Sequence, residues 1–486
     1  MDLELGLDPD GAARLSRLPL LKPLRTGRPR NRTIRIIWHD SAERALAAEG
    51  LVLAEQRPGW RLERLAPDGA TWPPGAPSPI VASARSLNEL GNALPHPLVP
   101  VAAFEGRARS TDLACEQGPV VMTLLMGTVR AVAGEQQISR LHLEGAVQPV
   151  QALAVALAGQ LQLSVPRACL AAMALAVVSG VPPAARHLGA PELPAGCGIA
   201  EAFAHTTGHL TDVILHYAPS AATSRDDPEP VHQMRVAVRR LRSAIKVFGR
   251  AVRSPEVDAA DLGLKALASR LGPTRDWDVF VTETFAIVAD AFPGDRHLKR
   301  LLAAAERRRR ACHSELRTFL ESTDFHRLGI ELACLAGNTE WQGTLGETEQ
   351  AELELSLEQF AARVLDRRLK RLIHVETALA ELEPSELHAV RLVAKRLRYA
   401  AEIFAPLFPA KATSRYLRRL SDLQDRLGML NDVSVAQALL GELAGGGSQA
   451  FASGLVLGFS GAHGGRTRGK IDAVWQKFRR QSPFWE

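Results

Sequence analysis

Aromatic residues are scarce: Phe, Trp and Tyr make up 5% of the 486 residues, and only three are tyrosines. That argues against nucleic acid as the partner, because single-stranded sites interleave their cations with aromatic platforms on which bases stack. Cysteine is scarce as well. The five, at 115, 169, 197, 312 and 334, are odd in number and form no CxxC pair, which argues against a disulfide framework and a cysteine zinc site. Long apolar runs are missing: the most apolar stretch, QALAVALAGQLQLSVPRACLAAMALAVVSG (151–180), is interrupted by Gln160, Gln162, Pro166 and Arg167. Its pieces fall short of the roughly 18 residues a membrane span needs, so it reads as buried helices and no membrane partner is expected. The opening MDLELGLDPDG is acidic with no apolar core, so no secretory leader is expected and a reducing cytoplasm fits best. A surplus of one charge is missing too. Residues 1–200 hold 19 Lys and Arg against 17 Asp and Glu, and the remainder 40 against 36, so an anion site must come from local patterning.

What is present divides into two textures. Between about 32 and 145 lie short β-branched or alternating runs, TIRIIW (33–38), GPVVMTLLMGTVRAV (118–132) and ISRLHLEG (138–145), separated by Gly and Pro, which predict an antiparallel sheet. After GVPPAARHLGAPELPAGCG (180–198) nearly everything has helical period. The fold class expected is α+β, a β-rich domain over 1–182 followed by an all-α domain over 199–486.

The helical region repeats itself. An offset of 156 lays VHQMRVAVRRLRSAIKVF (231–248) on LHAVRLVAKRLRYAAEIF (387–404), and the same offset lays RLGPTRDWDV (270–279) on RLGMLNDVSV (426–435). One offset serving two separated motifs predicts two helical bundles related by a pseudo-two-fold, about 199–335 and 350–486, joined through AGNTEWQGTLGETEQ (336–350).

Each repeated helix carries a cationic stripe. At about 100° per residue, His232, Arg235, Arg239, Arg242 and Lys246 fall within a fan of about 80°, opposite the apolar Met234, Val238, Leu241, Ile245 and Phe248. His388, Arg391, Lys395 and Arg398 repeat the fan. Like charges three and four apart repel by a few tenths of a kcal/mol per pair, so a compensating anion is expected, either carboxylates of neighbouring helices or a polyanion along both stripes. The matched recurrence favours the polyanion, and forked guanidinium groups suit phosphate oxygens. Arg240, Arg396, Tyr399, Arg415 and Arg419 are further candidates, and RRRR (307–310) could widen the patch. Asp227 with Pro228, and Ser385, read as helix starts ahead of the two histidines. Gly272 and Gly428 read as helix ends, with Asp276 and Asp432 capping the next helix; orienting a stripe arginine is the lesser alternative.

The paired HxxR…RLR helices, each followed by LGxxRD or LGxxND, resemble the CHAD family, the conserved-histidine α-helical domain, over about 199–486. The resemblance implies two bundles around a basic groove that binds inorganic polyphosphate, in some members on polyphosphate granules. It places His232, Arg235, Arg239, Arg242, Lys246, His388, Arg391, Lys395 and Arg398 in that groove. Glu402 stands where the first copy has Lys246. Such domains often follow a CYTH domain, a triphosphate tunnel metalloenzyme, and residues 1–182 resemble a degenerate one. The family's alternating Glu, Glu, Lys strand reads Asp2-Leu3-Glu4-Leu5-Gly6 here, its late acidic strand reads Arg140-Leu141-His142-Leu143-Glu144, and the lysine of the following helix has no counterpart in 169–180. Few hard oxygen ligands remain for Mg²⁺ or Mn²⁺. The expectation is therefore no catalytic residue, metal or cofactor, with triphosphate hydrolysis or nucleic-acid binding as the alternative functions.

Overall fold

The chain packs as two units, the first taking residues 1–189, 207–216 and 322–341 and the second the remainder. The structure is a computed structural model. It describes residues 1–65, 74–77, 79–90, 94–181, 190–194, 196–224, 226–337, 345–375, 378–443, 450–468 and 471–486, side chains at 384, 429–433 and 462–468 excepted. Residues 182–189 and 195 of the expected boundary at 180–198, and 338–344 of the joining segment at 336–350, lie outside the described residues.

The first unit is built on nine strands: β1 (Asp2–Leu7), β2 (Arg30–Asp40), β3 (Leu51–Gln56), β4 (Gly59–Arg64), β5 (Ile80–Ala84), β6 (Val99–Cys115), β7 (Gly118–Ala131), β8 (Gly134–Gly145) and β9 (Leu163–Ser164). They form one antiparallel sheet in the order β5-β4-β3-β2-β6-β7-β8-β1-β9. The three runs picked out by alternation are β2, β7 and β8. Strand β9 covers β1 only at Gly6 and Leu7, and the Glu4 amide donates to the Gly75 carbonyl at 2.6 Å. Since Gly75 lies just ahead of β5, this bond draws the two ends of the sheet together, the barrel-like layout expected.

Helices α1 (Pro9–Leu15), α2 (Ala45–Ala48), α3 (Val147–Ala158) and α4 (Leu170–Ser179) complete the β-rich segment. Alternation sorts the two sheet faces. Leu3, Leu5, Leu141 and Leu143 pack on one face with Val150, Leu153 and Leu157 of α3. Ile34, Trp38, Phe104, Val129 and Ile138 pack on the other with Ala171 and Ala174 of α4. The second face also carries buried charge: Arg140, which alternates with Leu141, reaches the Met173 sulfur of α4 beside this cluster. A Cβ on Gly127 would meet the Phe104 ring at 2.6 Å, which shows how closely that ring covers β6 and β7.

The second unit is helical. In chain order the helices are α5 (Ile199–Thr223), α6 (Glu229–Phe248), α7 (Pro255–Val279), α8 (Ala286–Ala291), α9 (Arg296–Leu320), α10 (Thr323–Gly337), α11 (Glu347–Leu353), α12 (Leu357–Ile373), α13 (Pro384–Phe404), α14 (Ala410–Glu442), α15 (Ala450–Arg468) and α16 (Ile471–Arg479). Of these, α10 packs with the first unit, adding Ile330, Ala333 and Cys334 to its α3 core. The offset of 156 carries α6 onto α13 and α7 onto the first part of α14, so the repeated motifs are repeated helices. In α6 the apolar face predicted from periodicity is the buried one: Met234, Val238, Leu241, Ile245 and Phe248. Phe248 and Phe404, which end α6 and α13, meet edge-on at 5.7 Å, while Phe360 of α12 stacks on Phe248 at 5.8 Å and Phe203 of α5 lies 5.6 Å away. This aromatic hub joins the two copies.

Two local expectations fail. Gly272 and Gly428 do not end helices, and Asp276 caps nothing: α7 and α14 run through both motifs. In α7 the buried series Leu264, Leu267, Leu271, Thr274 and Trp277 continues across Gly272, and burying that face outweighs the ~1 kcal/mol a helical glycine costs. Asp432's side chain lies outside the described residues. Ser385 is not the start of α13 either: Glu383 is, in a capping box with Glu386, whose carboxylate accepts from the Glu383 amide at 2.8 Å.

Candidate functional site: a cationic cavity between repeated helices

Helices α6 and α13 pack directly on one another, and both cationic stripes turn toward the shared side. Arg239 of α6 and Arg398 of α13 both lie against the ring of Tyr399, at 5.4 and 5.7 Å from its centroid. Beside them opens a cavity of about 600 Å³. Helix α6 and the residues after it contribute Arg239, Arg242, Lys246 and Arg250 to its wall; α13 contributes Lys395, Arg396 and Tyr399. A third helix, α12, adds Arg367, Arg368 and Arg371. Nine of the sixteen residues lining it are Arg or Lys and, among the described residues, none is acidic.

The electrostatic consequence shows at Lys395. Burial first, then the charges of Arg239, Arg391, Arg235 and Arg398, push its ammonium down to about 7. Arg368 is pushed down to about 10 by burial and by Arg396, Arg371 and Arg367, and its guanidinium is tied to α13 by a 2.8 Å bond to the Arg396 carbonyl. Burial likewise lowers Arg239, with Arg235 and Arg398 adding repulsion. A wall whose cations are driven toward neutrality by burial and then by one another is a wall short of anions.

Carboxylates answer part of the stripe. Arg242 is held by Asp261 at 2.7 Å, and Arg240 by Glu402 at 3.3 Å across the α6–α13 packing. Glu402 also pairs with Arg398 at 3.1 Å, so Arg240 serves as a structural bridge rather than a lining cation. Arg235 reaches Asp276 at 3.5 Å, the role given above as the lesser alternative. Burial raises the Asp276 carboxyl above its usual range even with Arg235, Arg239, Arg275 and Arg391 beside it.

The predicted residues therefore separate into groups. Arg239, Arg242, Lys246 and Lys395, with Arg396 and Tyr399, line the cavity. Arg235, Arg391 and Arg398 surround Lys395 from outside the wall. His232 is half-buried in the first turn of α6, held below the usual imidazole range by burial and by Arg275, and His388 is exposed at the start of α13. Arg415 and Arg419 of α14 are not on the wall. RRRR (307–310) does not extend it: Arg309 is buried on Asp278 at 2.7 Å beside His313, and Arg308 pairs with Glu315 and Glu442. Sequence reasoning missed α12. Its signal was DRRLKR (366–371), which the repeat could not reveal because the offset places it on LTDVIL (210–215) in α5.

In the first unit, Glu4 pairs with Arg140 at 3.2 Å and His142 with Asp2. Burial raises the Glu4 carboxyl and lowers the Arg140 guanidinium, so desolvation outweighs the pair's mutual attraction. Burial also works against charge on His142, but Asp2, Glu4 and Glu144 together hold it above the usual imidazole range. Among the described residues no group of three or more His, Cys, Asp and Glu is placed to hold a metal ion, and no helix is long and apolar enough to cross a membrane.

The duplicated helices and their motifs decide the family, and the CHAD domain profile matches residues 199–441. The chain belongs to the CHAD family. The crystal structure of the CHAD domain from the plant Ricinus communis is similar at 29% identity, with a TM-score of 0.51, covering 62% of this chain and 98% of that one. PptA from Streptomyces chartreusis matches at 17% identity and a TM-score of 0.42, over 58% of this chain and 100% of its own. HpAC1 from Hippeastrum, described as having a dominant triphosphatase activity, matches at 12% identity and a TM-score of 0.26, over 37% and 95%. No curated protein matches the chain. Within the CHAD segment, every residue lining the cavity falls inside the profile's span.

Proposed function

We propose that this CHAD protein binds inorganic polyphosphate, with the cavity between α6, α12 and α13 as its principal site and the cytoplasm, including polyphosphate granules, as its place of action. The observation that carries the reading is a wall of nine cations with no carboxylate among its described residues. A polyanion with one charge per repeating unit relieves that repulsion along its length, and guanidinium forks match its oxygens. Nucleic acid fits less well, since among the described residues Tyr399 is the sole aromatic on the wall, and Arg239 and Arg398 already lie against it. The first unit is read as a scaffold without hydrolase activity, because Glu4 is engaged by Arg140 and the late strand keeps only Glu144 of the alternating acids.

Titration calorimetry with linear polyphosphate tests the main claim, with DNA and RNA as competitors. Polyphosphate should bind and displace either nucleic acid, and the reverse order of preference would refute the reading. Incubation with triphosphate and Mg²⁺ or Mn²⁺ tests the second. Phosphate release that Glu4→Ala abolishes would make the first unit an enzyme.

A further inference from the structure

The two copies of the repeat do not carry equal charge. The cavity draws Lys246 and Arg250 from the first copy and Arg367, Arg368 and Arg371 from α12 of the second. The offset places Glu402 at the position of Lys246, Pro406 at Arg250, and Thr211, Asp212 and Leu215 at Arg367, Arg368 and Arg371. All five cations are absent from the partner positions, and two of those positions are acidic. Glu402 goes further, engaging Arg240 at 3.3 Å and Arg398 at 3.1 Å and so occupying two cations on that side. Around the cavity Arg242 pairs with Asp261 and Glu352 lies near enough to Arg367 to act on it, but among the described residues Lys246, Arg250, Arg367 and Arg371 form no ion pair with a carboxylate. The cationic track is therefore polarised, dense at α12 and cancelled at Glu402.

Linear polyphosphate is itself uneven in charge. Each internal phosphate has one ionisable oxygen and carries one negative charge, whereas each terminal phosphate has a second, weakly acidic oxygen and approaches two charges near neutral pH. A chain lying through a symmetric groove would present only its interior. A cavity of about 600 Å³ is the size of a small-ligand site, suited to a short segment.

We propose that the α12 cluster is an end-recognition site: Arg367 and Arg371, with Lys246 and Arg250, hold the doubly charged terminal phosphate, and the chain leaves past Lys395 and Arg239. This rests on the polyphosphate reading and adds polarity to it. The protein then grips chains by an end, and the number of molecules a chain carries is set by its two ends rather than by its length.

The test uses the full-length protein and three ligands: linear polyphosphate with free ends, the same chains with both ends esterified, and cyclic metaphosphate, which has no end. Free-ended chains should bind at least tenfold more tightly than esterified or cyclic ones at equal phosphate concentration. Arg367→Ala with Arg371→Ala should weaken free-ended chains at least tenfold more than esterified ones, so that the two then bind alike. Arg371→Lys, which keeps the charge, should recover part of the preference, and an unaltered helical circular dichroism spectrum would show that the variants fold. Equal affinity of the wild-type protein for free, esterified and cyclic ligands overturns end recognition and leaves polyphosphate binding standing. Equal loss for all three ligands in the double variant also overturns it, making α12 a general anion contact. Absence of binding to every ligand sinks the polyphosphate reading and this one with it.

Discussion

Arg239 on α6 lies with its guanidinium carbon 5.4 Å from the ring centroid of Tyr399 on α13, so the two repeated helices are linked by a cation against an aromatic face. Burial lowers this arginine and its neighbours repel it, yet the ring gives it a partner that leaves its N–H groups free for an anion. Tyr399→Leu should therefore lower stability by about 1 kcal/mol and weaken polyphosphate binding a few-fold. Denaturant titration and calorimetry measure the two. Tyr399→Phe should restore both, because the face of the ring and not its hydroxyl makes the contact.

Lys395 should make binding proton-linked. Its ammonium is pushed down to about 7, so above that pH the free site is mostly neutral there, and a bound polyanion pulls the proton back. Calorimetry at pH 8 in buffers of different ionisation enthalpy should show uptake of up to one proton, and affinity should fall as pH rises above 7. Lys395→Met should remove the uptake. Because the folded value lies below the ordinary 10.5, the unfolded chain binds this proton more tightly between those limits, and stability rises with pH from about 7 to 10.5. The Met variant should be the more stable protein at pH 6, with the gap closing by pH 10.5. A constant gap would show that Lys395 does not titrate in that window.

Arg235 and Arg391 flank Lys395 and Asp276 from opposite copies of the repeat. Replacing both with Ala removes two charges from behind the wall and should weaken polyphosphate binding by at least about tenfold, since a charge about 10 Å from a phosphate still contributes on the order of 1 kcal/mol. Helix content should not change. It should also raise the Lys395 value, so the proton uptake at pH 8 should shrink together with the affinity.

Glu4 and Arg140 in the first unit make a structural prediction. Glu4→Met leaves a buried guanidinium without its carboxylate and should cost about 3 kcal/mol, whereas Glu4→Met with Arg140→Met should recover most of that loss. Chemical denaturation of the three proteins measures it. Equal stability of the single and double variants would show that the pair is not coupled.

The stripes, the apolar face of α6 and the strands β2, β7 and β8 were legible because each follows from the periodicity of a single element. The repeat also gave the α6–α13 correspondence, since Arg235 and Arg391 hold matched positions. What escaped was whatever depends on a neighbour from elsewhere in the chain. Arg367, Arg368 and Arg371 joined the site because α12 lies beside α13, and no internal symmetry marked them. Arg242 and Arg240 seemed uncompensated within their own helix, but Asp261 and Glu402 reach them from others. Gly272 looked like a helix end in a short window, and only the buried series from Leu264 to Trp277 shows why the helix continues.

The Phe203, Phe248, Phe360 and Phe404 hub sets the spacing of the three helices that carry the cations, and it does so with no charged group of its own. Form and charge in this protein are thus supplied by separate residues. Individual cations on the wall can be erased, reversed or added while the frame keeps its dimensions, which makes the cavity a place where ligand preference can change through surface substitutions alone.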